Sequence, residues 1–233
     1  MSKLLLAFVS VASFACTKTE SSDILTSGVY ADLSAIGDGT TTDVSATLFL
    51  GQPINLNYLD LTGDDRLIAS DGGEDKTMIE SEILNVVSHH AEFTTSAEGD
   101  EFEISFLRTV DAGAPSSLAT LPAGFTPDPP PTTASRAAEL AITWSPSATT
   151  DTMSWQATGD CIELASSPIT GDTGTAAIPA NTIKKRMGAN IADQCTVTVT
   201  LVRSRPGELD SHYGKGGQIS GQQRRAITFT STP

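Results

Sequence analysis

The stretch Val29-Tyr-Ala-Asp-Leu-Ser-Ala-Ile-Gly-Asp-Gly-Thr-Thr-Thr-Asp-Val-Ser-Ala-Thr-Leu-Phe-Leu50 decides the fold class. Val29, Ala31, Leu33 and Ala35 alternate with Tyr30, Asp32, Ser34 and Ile36. Gly37-Asp38-Gly39 breaks the run. Val44, Ala46, Leu48 and Leu50 then alternate with Ser45, Thr47 and Phe49. Every second side chain of a strand falls on one face, so the two runs predict a β-hairpin over 27–50.

The same period continues outward. Arg66 to Ala69 is a short run, Asp71-Gly72-Gly73 a turn, and Lys76 to Ile79 a return. Glu80 to His89 fits a short helix or a strand, because Ile83, Leu84, Val86 and Val87 suit either. From Glu101 to Val110 the pattern is clear: Phe102, Ile104, Phe106 and Arg108 alternate with Glu103, Ser105, Leu107 and Thr109. Ser117 to Leu121 closes a first, acidic domain over 27–121. Residues 122–134, Pro-Ala-Gly-Phe-Thr-Pro-Asp-Pro-Pro-Pro-Thr-Thr-Ala, read as a semi-rigid linker, since proline cannot donate to a ladder and favours extended polyproline.

A second domain is expected over 135–233. Leu140, Ile142 and Trp144 share one face of a strand, and Trp155 lies in the run Met153 to Ala157. Thr175 to Pro179, Thr196 to Val202 and Ala226 to Thr230 supply further short strands. About seven strands in such a length suit a β-sandwich. Leu140 to Pro146 resembles the tryptophan-bearing early strand of fibronectin type III or immunoglobulin-like modules of bacterial surface proteins. Arg225 to Pro233 resembles their terminal strand. The resemblance covers the second half and implies such a sandwich there; with the alternation of the first half it gives the expectation of an all-β chain with two sandwiches in tandem. A faint internal repeat points the same way: Ile104-Ser-Phe-Leu-Arg-Thr is similar to Val199-Thr-Leu-Val-Arg-Ser.

Composition agrees. The chain has 233 residues, enough for one or two domains. Charged residues make up 18%, fewer than a helical protein carries. The net charge is −14, which argues against a nucleic-acid partner, because binding phosphates calls for a basic stripe. Residues 23–126 hold 18 acidic and 3 basic side chains, whereas 127–233 hold 9 of each.

The chain opens Met-Ser-Lys, followed by the apolar run Leu4 to Ala12 and then Ser13-Phe14-Ala15 before Cys16. This is the pattern of a secretory signal peptide over 1–15, too short to span a bilayer. With cysteine at the next position, residues 1–16 resemble a bacterial lipoprotein signal. That resemblance implies diacylation of Cys16 and residence at the outer membrane of the cell envelope, and the polar, aperiodic Thr-Lys-Thr-Glu-Ser-Ser-Asp that follows suits a flexible tether over 16–26. Ser13 stands where leucine is usual, and plain secretion is the alternative. Two acyl chains hold a protein stably where one does not.

With Cys16 assigned to lipid, Cys161 and Cys195 remain for a disulfide in an oxidising compartment. No catalytic motif of good spacing appears: no Gly-x-Ser-x-Gly, no phosphate-cradling loop, no His-Glu-x-x-His. His89, His90 and His212 read as exposed polar residues, and adjacent His89 and His90 point to opposite faces of a strand. Asp60, Asp64, Asp65, Asp71, Glu74 and Asp75 are weak calcium candidates, since calcium takes 6–8 oxygen ligands, often in glycine-bearing turns. They flank one short strand, so solvated turn acids are the plainer reading. Lys184-Lys185-Arg186, Arg203, Arg205, Arg224 and Arg225 suggest a basic patch for lipid headgroups, acidic polysaccharide or the acidic first domain.

The functional expectation is a binding or structural module, not an enzyme, that meets the membrane through its lipid anchor and engages another envelope protein or a glycan. The alternatives are a hydrolase of envelope polymers using acidic residues and a calcium-binding surface protein.

Overall fold

The computed structural model describes residues 18–50, 57–83, 86–147 and 149–233. Apart from two 3-10 turns at Ser21–Asp23 and Thr26–Gly28, its regular structure is β-sheet. The strands are β1 (Lys18–Glu20), β2 (Val29–Gly37), β3 (Thr42–Leu50), β4 (Tyr58–Asp60), β5 (Arg66–Ser70), β6 (Asp75–Thr77), β7 (Ile79–Ile83), β8 (Val86–Phe93), β9 (Glu101–Leu107) and β10 (Ala114–Thr120). There follow β11 (Thr126–Pro127), β12 (Thr133–Ser135), β13 (Leu140–Ser145), β14 (Thr152–Thr158), β15 (Ala165–Ile169), β16 (Thr175–Ile178), β17 (Cys195–Pro206) and β18 (Gln218–Thr232).

Two β-sandwiches result. In the first, the sheet β7-β8-β3-β2 faces β6-β5-β9-β10. The alternation read at 29–50 sets its core: Val29, Ala31, Leu33, Ala35, Val44, Ala46 and Leu48 are buried against Leu67, Phe102, Ile104 and Phe106. In the second, β15-β14-β17-β18 faces β11-β13-β16. Trp144, Trp155, Val197, Val199, Leu201 and Phe229 fill that core. In each sandwich one sheet carries mainly the early strands and the other, of four strands, mainly the later ones: β6-β5-β9-β10 in the first and β15-β14-β17-β18 in the second, the division an immunoglobulin-like sandwich shows. Glu80 to His89, ambiguous in sequence, is strand.

Cys161 and Cys195 are joined by a disulfide across a sequence separation of 34. The segment 122–134 is laid along the second sandwich. Phe125 is buried in its core, β11 pairs with β13, and β12 pairs in parallel with β18.

The two sandwiches share a strand. β17 and β18 form one antiparallel ladder from Cys195↔Ser231 to Pro206↔Ser220. The last strand's first part also pairs in parallel with β2, from Gln218↔Asp32 to Gln223↔Gly37. The front sheet of the first sandwich thus runs without a break into that of the second, giving an eleven-stranded sheet. Tyr213 and Ile219 are buried in the first core although both lie in the second half of the sequence. Close backbone approach makes this joint. A Cβ added to Gly221 would sit 2.0 Å from the Thr120 carbonyl oxygen, and one at Gly207 2.2 Å from that of Leu118. Glycine is the one residue that permits such contact.

Candidate functional site

The repeated motif of the two halves places an arginine on the core face of each sandwich. The Arg108 side chain is fully buried against an equally buried Asp65, Nε to Oδ2 3.1 Å. It also donates to Thr26 Oγ1 at 2.9 Å and to the Ser21 carbonyl. Arg203 is likewise buried, with Nη2 2.9 Å from Asp172 Oδ2. Its Nη1 donates to the Ala123 carbonyl at 2.8 Å, its Nη2 to that of Pro146 at 2.7 Å, and the guanidinium lies over the Phe125 ring. Asp172 also accepts from Trp144 Nε1 at 2.7 Å and Thr149 Oγ1 at 2.6 Å. Burial alone would raise the Asp65 and Asp172 carboxyls. The donors and guanidinium facing each outweigh it and hold both below the usual carboxylate value. A buried ion pair of this kind fixes geometry more than it adds stability. These are structural posts.

The acidic candidates do not converge. Asp60 lies on β4; Asp64 and Asp65 sit before β5, whereas Asp71, Glu74 and Asp75 lie beyond its other end. Asp65 is committed to Arg108. Asp71 Oδ1 accepts the N–H groups of Gly73 and Glu74 at 3.0 and 2.8 Å, closing a turn, and Glu74 pairs with Lys76 at 3.1 Å. Among the described residues no three His, Cys, Asp or Glu side chains are grouped to hold a metal ion. Cys16 lies outside the described residues.

The basic stretches do not form the single patch read from sequence. Lys185 pairs with Asp193 at 2.5 Å beside the disulfide, Arg203 is in the core, and Arg205 is bound to Asp151 at 2.8 Å.

Exposed large apolar side chains are scattered at Leu25, Val110, Leu164 and Met187, and three share the outer face of the β7–β8 hairpin. β7 pairs with β8 from Ile79↔His90 to Ile83↔Val86, and among the described residues no strand pairs with its other edge. Ile79 is 75% exposed, Ile83 69% and Val86 46%. The register sets these three, with Ser81, Ser88 and His90, on one outward face. On that face Ser88 Oγ lies 2.9 Å from His90 Nε2, and Asp43 of β3 lies 3.1 Å from His90 Nδ1. On the inner face Glu80 and Glu82 meet Lys18, whose Nζ is 3.5 Å from Glu80 Oε1 and 2.8 Å from Glu82 Oε2. His89, read from sequence as exposed, is 4% exposed, and its Nδ1 has no hydrogen-bond partner. Its neighbour there is Glu80, 3.9 Å away, and burial lowers its pKa.

The sequence singles out His90 but neither Ser88 nor Asp43, which lies 47 residues from His90. The alternation of β7 separates its two faces but does not show which of them is exposed.

No family model and no curated protein matches the chain. Among solved structures it is similar to a cytokine receptor complex at 12% identity, with a TM-score of 0.28, covering 86% of this chain and 96% of that one. It is similar to the I67–I69 I-band fragment of titin at 10% identity, with a TM-score of 0.25, covering 87% of this chain and 66% of that one.

Proposed function

We propose that the chain is an exported, lipid-anchored binding module of the cell envelope that docks a protein partner through the outer edge of its first sandwich. The observation that carries this is the β7 edge, which no other strand among the described residues pairs with, and the exposed Ile79, Ile83 and Val86 beside it. Three aliphatic side chains on one open strand pair are a surface with unspent burial energy, of the kind that marks interaction sites. The Cys161–Cys195 bridge fits an oxidising compartment, and residues 1–16 supply the export signal and the anchor.

A photo-crosslinking residue at position 79 or 83, in cells, tests the docking edge against one at the exposed Thr228 of the second sandwich. The expected result is an adduct from 79 and 83 that is absent from 228; equal adducts, or none, overturn the reading. Cys16→Ser should move the protein out of the membrane fraction, and retention there sinks the anchor.

A hydrolase reading has one observation in its favour, the Ser88–His90–Asp43 line. Against it, Ser88 lies in extended backbone, where consecutive N–H groups point to opposite sides. Two of them cannot converge on an oxyanion beside its hydroxyl. Labelling of Ser88 by a serine-directed phosphonate would restore that reading.

A further inference from the structure

β7 reads Ile79-Glu80-Ser81-Glu82-Ile83, the same in both directions. In a two-fold contact, residue i meets residue j of the copy and j meets i. Centred on Ser81, antiparallel self-pairing sets Ile79 against Ile83 of the second copy, Glu80 against Glu82, and Ser81 against Ser81. We propose that two copies of this chain associate edge to edge through β7 in this register. The proposal rests on the docking-edge reading above and names its partner.

The outward face favours the contact. Directly opposed side chains in an antiparallel pair stand about 4.5–5.5 Å apart, so each isoleucine gains an isoleucine neighbour. Val86, opposite Ile83 in the existing ladder, extends the row. The edge carries few of the usual defences. It has no proline, and its register with β8 is unbroken over five pairs. Its guard is the inward pair of acids. The two-fold would bring Glu80 opposite Glu82 twice, which is repulsive, but Lys18 already bridges both acids in each copy. Four carboxylates then meet two lysines. The remaining repulsion is between exposed groups, so added salt screens it.

A contact of this size belongs to the weak class that buries less than about 1,200 Å², so it is read at high protein concentration. Sedimentation of the full chain should show a monomer–dimer equilibrium that strengthens with sodium chloride. Ile79→Lys with Ile83→Lys changes only exposed side chains. It should weaken association about tenfold or more while leaving the melting temperature unchanged.

Register is read by oxidation: Ser81→Cys should link to itself, located by mass spectrometry of the 81–81 peptide, whereas Glu80→Cys, which faces position 82, should not. A chain that stays monomeric at every concentration, a dimer indifferent to the lysine substitutions, or equal linking at 80 and 81 overturns the proposal. If self-pairing fails while position 79 still captures a different protein in cells, the docking edge survives with another occupant. If both fail, the edge is not a docking site.

Discussion

Leu118 and Glu208 exchange both of their backbone hydrogen bonds, 2.8 Å in one direction and 2.9 Å in the other, across the joint between the two sandwiches. Leu118 belongs to β10 of the first sandwich, and Glu208 follows the strand that runs up from the second. Paired with the β2–β18 ladder, this contact ties the halves by main chain, which side-chain substitutions leave in place. The sandwiches should therefore melt in a single transition by calorimetry. Gly221→Ala drives a Cβ into the Thr120 carbonyl and should cost about 1–3 kcal/mol, as overpacking does. Two separated transitions in the native chain would show that the shared strand does not couple them.

Arg108→Ala should destabilise the first sandwich by about 3–5 kcal/mol, because it leaves Asp65 as an uncompensated buried charge. Restoring neutrality with Arg108→Met and Asp65→Asn together should recover much of that loss. Denaturant unfolding of the two single variants and the double variant measures the coupling, and additive losses would contradict the pairing.

Acid should unfold the protein in two stages. His89 has a folded-state pKa below its ordinary 6.5, chiefly through burial. The folded state thus resists a proton that the unfolded chain accepts, and stability falls as pH drops below about 6.5. Asp65 and Asp172 have folded values below 3.8, so the stability they contribute is present above 3.8 and is lost as pH falls through their lower folded values. His89→Gln should flatten the first stage and leave the second. Melting temperatures between pH 7 and pH 3 check this, and an unchanged slope above pH 5 in the variant would count against it.

Replacing Cys161 and Cys195 by alanine frees a closed loop of 34 residues and should cost about 3–4 kcal/mol in the chain-entropy account. The same loss should follow reduction of the native protein. An unaltered unfolding midpoint after reduction would mean that the bridge constrains nothing that the sheets do not already hold.

Much of the fold could be read from alternation because most strands bury one face, as at Val29 to Ala35 and Phe102 to Phe106. Where alternation is inverted, reading becomes ambiguous. In β7 the isoleucines face water and the acids face inward, and in sequence Ile83, Leu84, Val86 and Val87 suit one side of a short helix as well as a strand. Alternation set Arg108 on the face of Phe102 and Phe106, whereas Arg203 read as part of a basic patch; its burial, and the carboxylates of Asp65 and Asp172 that meet the two arginines, appear only in the folded chain. The crossing part of β18 was missed for a packing reason. Its inward positions are Ile219, Gly221 and Gln223, and the joint needs a glycine where a strand reader looks for an aliphatic. The sharpest sequence clue to the candidate surface, the palindrome at 79–83, acquires meaning only in the fold, where no other strand among the described residues covers its edge.

Because residues 218–223 complete the front sheet of the first sandwich, the half that leaves the ribosome first cannot close until nearly all of the other half has followed. The early-made strands must wait with one flank open, and Tyr213 and Ile219 arrive as a late latch. Maturation of the whole protein is thus timed by its far end, and a cut between the halves would leave the leading one without its final strand.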